Sequence, residues 1–319
     1  MTGTLYAIIS TAKSDHYTGL AIDSFLKNTK LSTNDKFYLI DNDNTGKYSD
    51  RNIAVINNIT PKSFAKNVND LIKIADGRDI VVLNNDFVFT HNWADPLMYF
   101  SNSFLLTICN QTHIYSNQNL AITPSMSIDQ YTNHWDLRDI VNQHKLSVGA
   151  GFFEKLIMPF YAFSLPYKVY STVGLFDESF GAAGGEDVDY RLRAIEHGFS
   201  VKYVKQSYLL HFQGKSTWDG AENTDETQTR DATYKDAFTD KWSLDFTDLF
   251  LVGGQFDRVV EKYQLTPFIQ QEDFAELIKR MLSIRQGDSI VPFDQVSADG
   301  LLQYVRQLGT DLVGCELGV

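Results

Sequence analysis

Three carboxylates are crowded into a short stretch near the middle of the chain. Glu186, Asp187 and Asp189 follow the pair Gly184 and Gly185, and they precede an apolar pattern with helical spacing. Because like charges repel, the crowding indicates either plain solvation or a partner that favours negative charge. Favourable charge at a helix N-terminus is one interpretation. In the other, the glycines let the backbone approach a ligand closely, and a carboxylate serves as general base toward an alcohol.

Two further acidic residues follow apolar runs that are typical of strands. Asp86 ends the run DIVVLNND, where it can hold a hard divalent cation that also takes phosphate oxygens. Asp41 lies in KFYLIDND, where a carboxylate can accept a hydrogen bond from a base N–H or a ribose hydroxyl. Both stretches are equally typical of the Asn/Asp-rich turns that are common after strands.

His211 lies at the end of another strand-like run, SYLLHF, and a Gly-Lys-Ser-Thr loop follows it. A lone histidine is more often structural than a ligand. Here, however, the loop is flexible and rich in donors suited to phosphate oxygens. Asp86 and His211 together would make a mixed oxygen and nitrogen site, which suits manganese as well as magnesium.

Strands and helices alternate over the first half of the chain, which predicts a parallel sheet with helices packed on it. In open sheets of this kind ligands bind beyond the carboxyl ends of the strands, where Asp41 and Asp86 lie. Long loops with short helices are expected at 100–160. The predicted strands are 4–11, 36–43, 53–56, 79–86, 201–204 and 207–212, and the predicted helices are 18–28, 63–75, 188–199, 255–264 and 272–285.

Composition excludes several classes of protein. The formal net charge of -12 argues against broad electrostatic binding to nucleic acid or anionic lipid. The two cysteines, Cys109 and Cys315, lie far apart and indicate neither a zinc cluster nor a disulfide framework. The N-terminus does not have the pattern of a signal peptide, and the longest near-apolar stretch, 97–109, is too short and too polar to span a bilayer. A cytoplasmic location without an integral membrane segment is expected.

The order of these motifs resembles that of the family-2 glycosyltransferases of the GT-A fold, in particular the non-processive, rhamnosyltransferase-like members. The resemblance covers residues 4–220. Its most specific part is VGLFDESFGAAGGEDVDYRLRAIEHGFSVKYV, which is similar to the acceptor-side segment of the family with its Glu-Asp pair. The stretches YLIDNDN, SFAKNVNDLIKIADGRDIVVLNND and HFQGKST are similar to the acidic motif of the second strand, to the elements before the metal motif and to the segment after the final strand.

The resemblance implies a Rossmann-like, mixed but mainly parallel sheet with flanking helices. It also implies an inverting transfer of a single sugar from a nucleoside-diphosphate sugar to a hydroxyl of a glycan acceptor. Asp187 would be the general base, with Glu186 beside it to position the acceptor or the base. Asp86 and His211 would hold Mn²⁺ or Mg²⁺. The residues implied for donor binding are Asp41, at a uracil or thymine base, with Thr11, Asn85 and Lys215.

The sequence departs from the family pattern at two places. The metal motif is Asn84-Asn85-Asp86, so its first acid is missing. The Gln-x-x-Arg-Trp motif is absent near 230–242, where DAFTDKW stands instead, and this argues against a processive polysaccharide synthase. Asn69 matches a recurrent asparagine of the family and is expected to be structural, and Asp189 is expected only to be an acid of the first helical turn. A UDP- or dTDP-sugar is favoured as donor, and rhamnose follows from the general resemblance alone.

Two other functions stay open. A catalytically silent module that binds a nucleotide-sugar or a glycan would have the same fold, and the missing acid favours it. A nucleotidyltransferase would share the α/β scaffold and acidic metal sites, but the stretch STAKSDHYTG offers Lys13 without the expected glycine run.

The expected organisation is a glycosyltransferase domain at 1–220 and a small helical appendage or linker at 221–300. The final stretch, SADGLLQYVRQLGTDLVGCELGV, resembles a helix and the first strand of a SAM-dependent methyltransferase. Residues 301–319 are therefore either the truncated start of a fused methyltransferase domain or an ordinary C-terminus.

Overall fold

A computed structural model describes most of the chain as an α/β unit and a separate helical unit. The described residues are 3–10, 15–113, 142, 146, 149–212, 223–252 and 255–285. The chain divides into the compact units 1–254 and 255–319. None of the described helices is both long and apolar enough to cross a membrane. Thr11, Lys215 and the possible methyltransferase start at 301–319 lie outside the described residues.

The first unit is built on a sheet whose first half is parallel. Strands β1 (Thr4–Ser10) and β4 (Asp79–Asn84) are buried along almost their whole length, as expected for central strands with helices on both faces. All four parallel strands were expected from the sequence, and these predictions are confirmed. In spatial order they are β3 (Ala54–Asn57), β2 (Lys36–Asp41), β1 (Thr4–Ser10) and β4 (Asp79–Asn84).

The second half of the sheet is mixed. Its strands are β5 (Phe87–Phe89), β6 (Leu105–His113), β7 (Phe152–Phe153), β8 (Ala162–Leu165) and β9 (Ser200–His211). β8 pairs antiparallel with β4 and with β6, and β6 pairs in parallel with β9. β5 and β7 both pair antiparallel with β9, which makes nine strands among the described residues.

The structure of this half differs from the prediction at two places. Residues 201–204 and 207–211 are in a strand as predicted, but the break expected between them is absent. The expected strands 201–204 and 207–212 form one strand, β9, because a bulge absorbs the polar residues 205–207: Cys109 pairs with Val204, and Asn110 pairs with Tyr208. From residue 100 onward, where long loops with short helices were expected, the chain completes a helix and then forms β6. Pairing with a strand on each side stabilises β6.

Helices cover both faces of the sheet, and alternate residues of β1 reach the two cores. Leu5 and Ile9 pack in the core that also holds Val68, while Ile8 packs in the core that holds Phe25 and Trp93. The helices are α1 (Asp15–Asn28), α2 (Phe64–Ile74), α3 (Ala94–Phe104), α4 (Tyr167–Val173), α5 (Glu186–Glu196), α6 (Thr224–Trp242) and α7 (Leu244–Thr247), with a 3-10 turn at Glu178–Phe180 and a π turn at Asp248–Val252.

The first unit extends beyond residue 220, where the sequence placed its end. The reason is that α6 buries Tyr234, Phe238 and Trp242 within this unit. In the second unit the expected helices at 255–264 and 272–285 are confirmed, and a short helix lies between them. These helices are α8 (Phe256–Lys262), α9 (Thr266–Gln270) and α10 (Phe274–Arg285).

Candidate functional site

The pairing of β5 with β9 brings Asp86 and His211 together. Phe87 is the register partner of His211, and the N–H of Phe212 donates to the carbonyl of Asp86 at 3.0 Å. Oδ1 of Asp86 lies 3.3 Å from Nε2 of His211, and both side chains are almost fully buried. The Phe87 ring stacks on the imidazole, with 4.4 Å between the ring centroids. We call Asp86 and His211 the acid–histidine pair.

The ligand atoms of the acid–histidine pair are of the types that bind a divalent cation. A carboxylate oxygen and an imidazole nitrogen suit Mn²⁺ or Mg²⁺ when phosphate oxygens and waters complete the shell. In the part of the chain that the structure describes, no cluster of three or more His, Cys, Asp or Glu side chains is arranged to hold a metal. With only two protein ligands among the described residues, phosphate oxygens or waters would have to supply the rest of the shell of a cation at the acid–histidine pair.

Helix α5 begins with two carboxylates in different surroundings. The residue before them, Gly185, has a φ of 82°, a left-handed conformation that residues with a side chain rarely adopt. Asp187 is partly exposed; its Oδ1 accepts from the N–H of Val188 at 2.7 Å and its Oδ2 from the N–H of Phe160 at 3.3 Å. Glu186 is buried, and its Oε2 has no hydrogen-bond partner among the described residues. The Asp187 carboxylate is thus oriented by the backbone and still reachable.

Burial changes the acidity of both groups. It raises the pKa of Glu186 to about 8, and the negative charge of Asp187 adds to the rise, while the backbone and Arg230 act against it. Burial also raises the pKa of Asp187, and three backbone N–H groups and the charge of Arg191 act against this rise. Glu186 is therefore mostly protonated at neutral pH, and Asp187 is a stronger base than an exposed aspartate.

The segment Phe160–Tyr161, which we call the bridge, joins the two groups of residues. Phe160 donates its N–H to Asp187, and the Tyr161 ring lies 4.8 Å from the His211 ring. The carbonyl of Tyr161 accepts from the N–H of Asn84, at the end of β4, at 2.9 Å. Burial raises the pKa of Tyr161 above its usual range, and the negative charges of Asp187 and Asp86 raise it further. No pattern in the sequence indicates the bridge, because aromatic residues before a strand usually pack in the core.

Asp41 lies at the carboxyl end of β2, as expected, and is buried. Its Oδ2 accepts from the hydroxyl of Thr45 at 3.0 Å and from the N–H of Gly46 at 2.9 Å. This carboxylate therefore shapes the loop after β2. Recognition of a base by Asp41 stays a prediction.

Asn85 is fully buried, and its side-chain amide donates to the hydroxyl of Thr18 on α1 at 2.7 Å. In the structure it thus joins the strand end to α1, and donor binding by Asn85 stays a prediction. The same holds for Thr11 and Lys215, which lie outside the described residues.

Asn69 has the structural role that was expected of it. Its Nδ2 donates to the carbonyl of Phe176 and to Glu178, both at 2.9 Å. Its Oδ1 accepts from the N–H of Phe176 at 2.8 Å. Asn69 thereby ties α2 to the turn that leads into the glycine pair and α5.

Asp189 makes more contacts than a simple first-turn acid would. It is fully buried, and it accepts from Nε of Arg193 at 2.8 Å and from Nε1 of Trp242 at 2.8 Å. Nζ of Lys241 lies 2.7 Å from its Oδ1. The signal that sequence reasoning missed is the spacing of Tyr234, Phe238 and Trp242, which places three aromatic rings on one face of α6.

No protein-family model matches the sequence, and no curated protein matches it. Among solved structures, that of GalNAc-T7 with UDP, GalNAc and Mn2+ is 11% identical, with a TM-score of 0.51, and the match covers 79% of this chain. The chain spans 58% of the length of that protein. The mannosyltransferase PcManGT from Pyrobaculum calidifontis in complex with GDP-Man and Mn2+ is 9% identical, covers 90% of this chain and 87% of its own, and has a TM-score of 0.47.

Residues 1–349 of S. aureus TarS are 12% identical, with a TM-score of 0.48, over 90% of this chain and 93% of that one. The likeness to GalNAc-T7 shows the fold. The chain has a GT-A-type α/β fold, with a mixed, mainly parallel sheet and flanking helices, and the predicted fold class is confirmed.

Proposed function

We propose that the protein is an inverting, metal-dependent glycosyltransferase that moves one sugar from a nucleoside-diphosphate sugar to a hydroxyl of a glycan. The observation that carries this proposal is the bridge, which connects a pair suited to a cation, Asp86 and His211, to a backbone-oriented carboxylate, Asp187. The similar structure of GalNAc-T7 contains UDP, GalNAc and Mn2+, which supports this class of donor.

A divalent cation held by Asp86 and His211 would neutralise the charge of the leaving nucleoside diphosphate. Asp187 takes the proton from the acceptor hydroxyl as that oxygen attacks the anomeric carbon. The hydrogen bonds from Val188 and Phe160 hold its carboxylate in one orientation during this step. Attack and departure on opposite faces of the sugar invert the anomeric configuration.

Glu186 and Asp187 can have different roles in catalysis because their surroundings differ. Asp187 is partly exposed and accepts the proton, and its raised pKa strengthens it as a base. Glu186 keeps its proton near neutral pH, so its O–H is available to donate toward the acceptor or toward Asp187. This division explains why the crowded acids do not simply repel each other.

The donor is proposed to be a UDP- or dTDP-sugar, with Asp41 at the imide N–H of the base. Rhamnose remains the favoured sugar from the resemblance of the sequence. In the structure Asp41 lies at the carboxyl edge of the parallel strands, where ligands of open α/β sheets bind.

A transfer assay tests the proposal. The protein is incubated with UDP- or dTDP-sugars, a panel of glycan acceptors and Mn²⁺, and release of the nucleoside diphosphate is followed. Release should depend on the acceptor, and Asp187→Asn should lower kcat by roughly 10²- to 10⁴-fold. Asp95→Asn, at an exposed acid in the first turn of α3, is the matched control and should leave kcat unchanged.

The product distinguishes the proposed mechanism from its alternatives. NMR of the new glycosidic bond should show the configuration opposite to that of the donor, and a retained configuration would contradict the role of Asp187. Donor binding without any transfer would favour the silent module, which the missing first acid at Asn84 supports. Release of pyrophosphate from a nucleoside triphosphate would favour a nucleotidyltransferase.

A further inference from the structure

The stretch DAFTDKW, which stands where a processive synthase motif is absent, ends in two residues that bind the third acid of α5. Nε1 of Trp242 donates to Oδ1 of Asp189 at 2.8 Å, and Nζ of Lys241 lies 2.7 Å from the same oxygen. Nζ of Lys241 also donates to Oδ2 of Asp177 at 2.6 Å. These contacts fasten the C-terminal end of α6 to α5 and to the turn before it.

Asp189 also closes the first turn of α5. Its N–H donates to the carbonyl of Gly185 at 2.9 Å, which is the hydrogen bond that encloses Glu186 and Asp187 in that turn. Its Oδ2 accepts from Arg193, one turn further along the helix, at 2.8 Å. A side chain that is fully buried and bonded on both oxygens cannot shift without moving this turn.

The middle of α6 contacts the other side of the same turn. A Cβ at Gly184 would lie 2.5 Å from Cδ1 of Tyr234, so the ring lies directly against the glycine backbone. One turn earlier, the charge of Arg230 acts on Glu186. Arg230, Tyr234 and Trp242 thus lie on one face of α6. This face of α6 holds the turn of α5 that carries Glu186 and Asp187.

We propose that Asp189 is a positioning residue, which uses Lys241 and Trp242 of α6 to hold the first turn of α5 and thereby to place Asp187 for proton transfer. This inference rests on the proposed function for the role of Asp187, but the mechanical link between α6 and α5 can be tested without it. The energetic reason is that a small displacement of a catalytic group lowers the rate much more than it lowers binding.

The test uses Lys241→Met, with Asp189→Asn as a second variant that keeps the shape of the side chain and removes its charge. Lys73→Met is the matched control, because Lys73 also pairs with an acid, Asp70, at 3.0 Å but lies on the exposed side of α2. Lys241→Met should lower kcat of transfer by about tenfold with KM for the donor changed less than about twofold. Lys241→Arg should restore most of kcat, and Lys73→Met should match the wild type.

Hydrogen exchange provides a measurement that does not depend on catalysis. In Lys241→Met the amides of residues 186–189 should exchange at least about threefold faster, while those of β1 and β4 stay protected as in the wild type. Wild-type kcat and wild-type exchange in both variants, even with lowered thermal stability, would show a merely structural role and overturn the inference. If the wild type transfers no sugar, the proposed function fails, and unchanged exchange in Lys241→Met would separately refute the positioning role.

Discussion

Replacing Glu186 by glutamine should make the stability of the first unit less sensitive to pH. Burial raises the pKa of Glu186 from 4.5 to about 8, with the charge of Asp187 adding to the effect. Because the folded pKa lies above the unfolded one, the folded protein keeps a proton that the unfolded chain has released between these values. The associated stability is fully present below the unfolded pKa and is lost as pH rises through the folded pKa.

The size of the effect follows from the width of the pH window. Each pH unit between the two pKa values changes the free energy of unfolding by about 1.4 kcal/mol. Between about pH 5.5 and 7.5 the wild type should therefore lose up to roughly 3 kcal/mol through Glu186, and Glu186→Gln should not show this loss. Glu196→Gln, at the exposed C-terminal end of the same helix, should behave as the wild type.

Urea unfolding followed by tryptophan fluorescence measures this difference. Trp93 and Trp242 are buried in the first unit, so a change in tryptophan fluorescence reports on its unfolding. The midpoint of the wild type should fall between the two pH values by clearly more than that of Glu186→Gln. Equal pH dependence in the wild type and in Glu186→Gln would refute the raised pKa and, with it, the protonated state of Glu186 at neutral pH.

Two further substitutions test the packing around the site by the same unfolding assay. Gly184→Ala should cost about 2–3 kcal/mol, because φ is +115° and the new Cβ would overlap the Tyr234 ring. Gly198→Ala, where φ is +81° but no atom lies within 4 Å, should cost only about 1 kcal/mol, and equal losses would contradict the overlap. Asn69→Ala should cost about 2–3 kcal/mol, because the buried N–H and carbonyl of Phe176 lose their partner; an unchanged midpoint would show that water replaces Asn69.

The parallel half of the fold can be predicted from the sequence because its signals are local. Each strand is a short apolar run that ends in polar residues, and α2 carries a regular apolar face after the cap at Ser63. Tertiary pairing decides the other half. The polar residues 205–207 suggest a loop, but β6 pairs with the residues on both sides of them and keeps β9 continuous.

The same distinction between local sequence signals and tertiary pairing applies to the candidate site. Asp86 and His211 are each ordinary strand-end residues, and only the pairing of β5 with β9 makes them neighbours. Their donor atoms suggest a mixed metal site and the resemblance of the sequence implies the same pair, but their spacing along the chain does not show that they are neighbours. Two partners of Asp189, Lys241 and Trp242, lie on a helix that is distant in sequence, so its role could not follow from the stretch GGEDVDY alone.

Isothermal titration of UDP-, dTDP- and GDP-sugars, with and without Mn²⁺, tests the central claim that metal and base are separate parts of one transferase site. We predict Mn²⁺-dependent binding of a UDP- or dTDP-sugar that is lost in Asp86→Ala and retained in Asp187→Ala. Absence of binding to every donor in the presence of Mn²⁺, or equal loss of binding in both variants, would contradict the proposed glycosyltransferase mechanism.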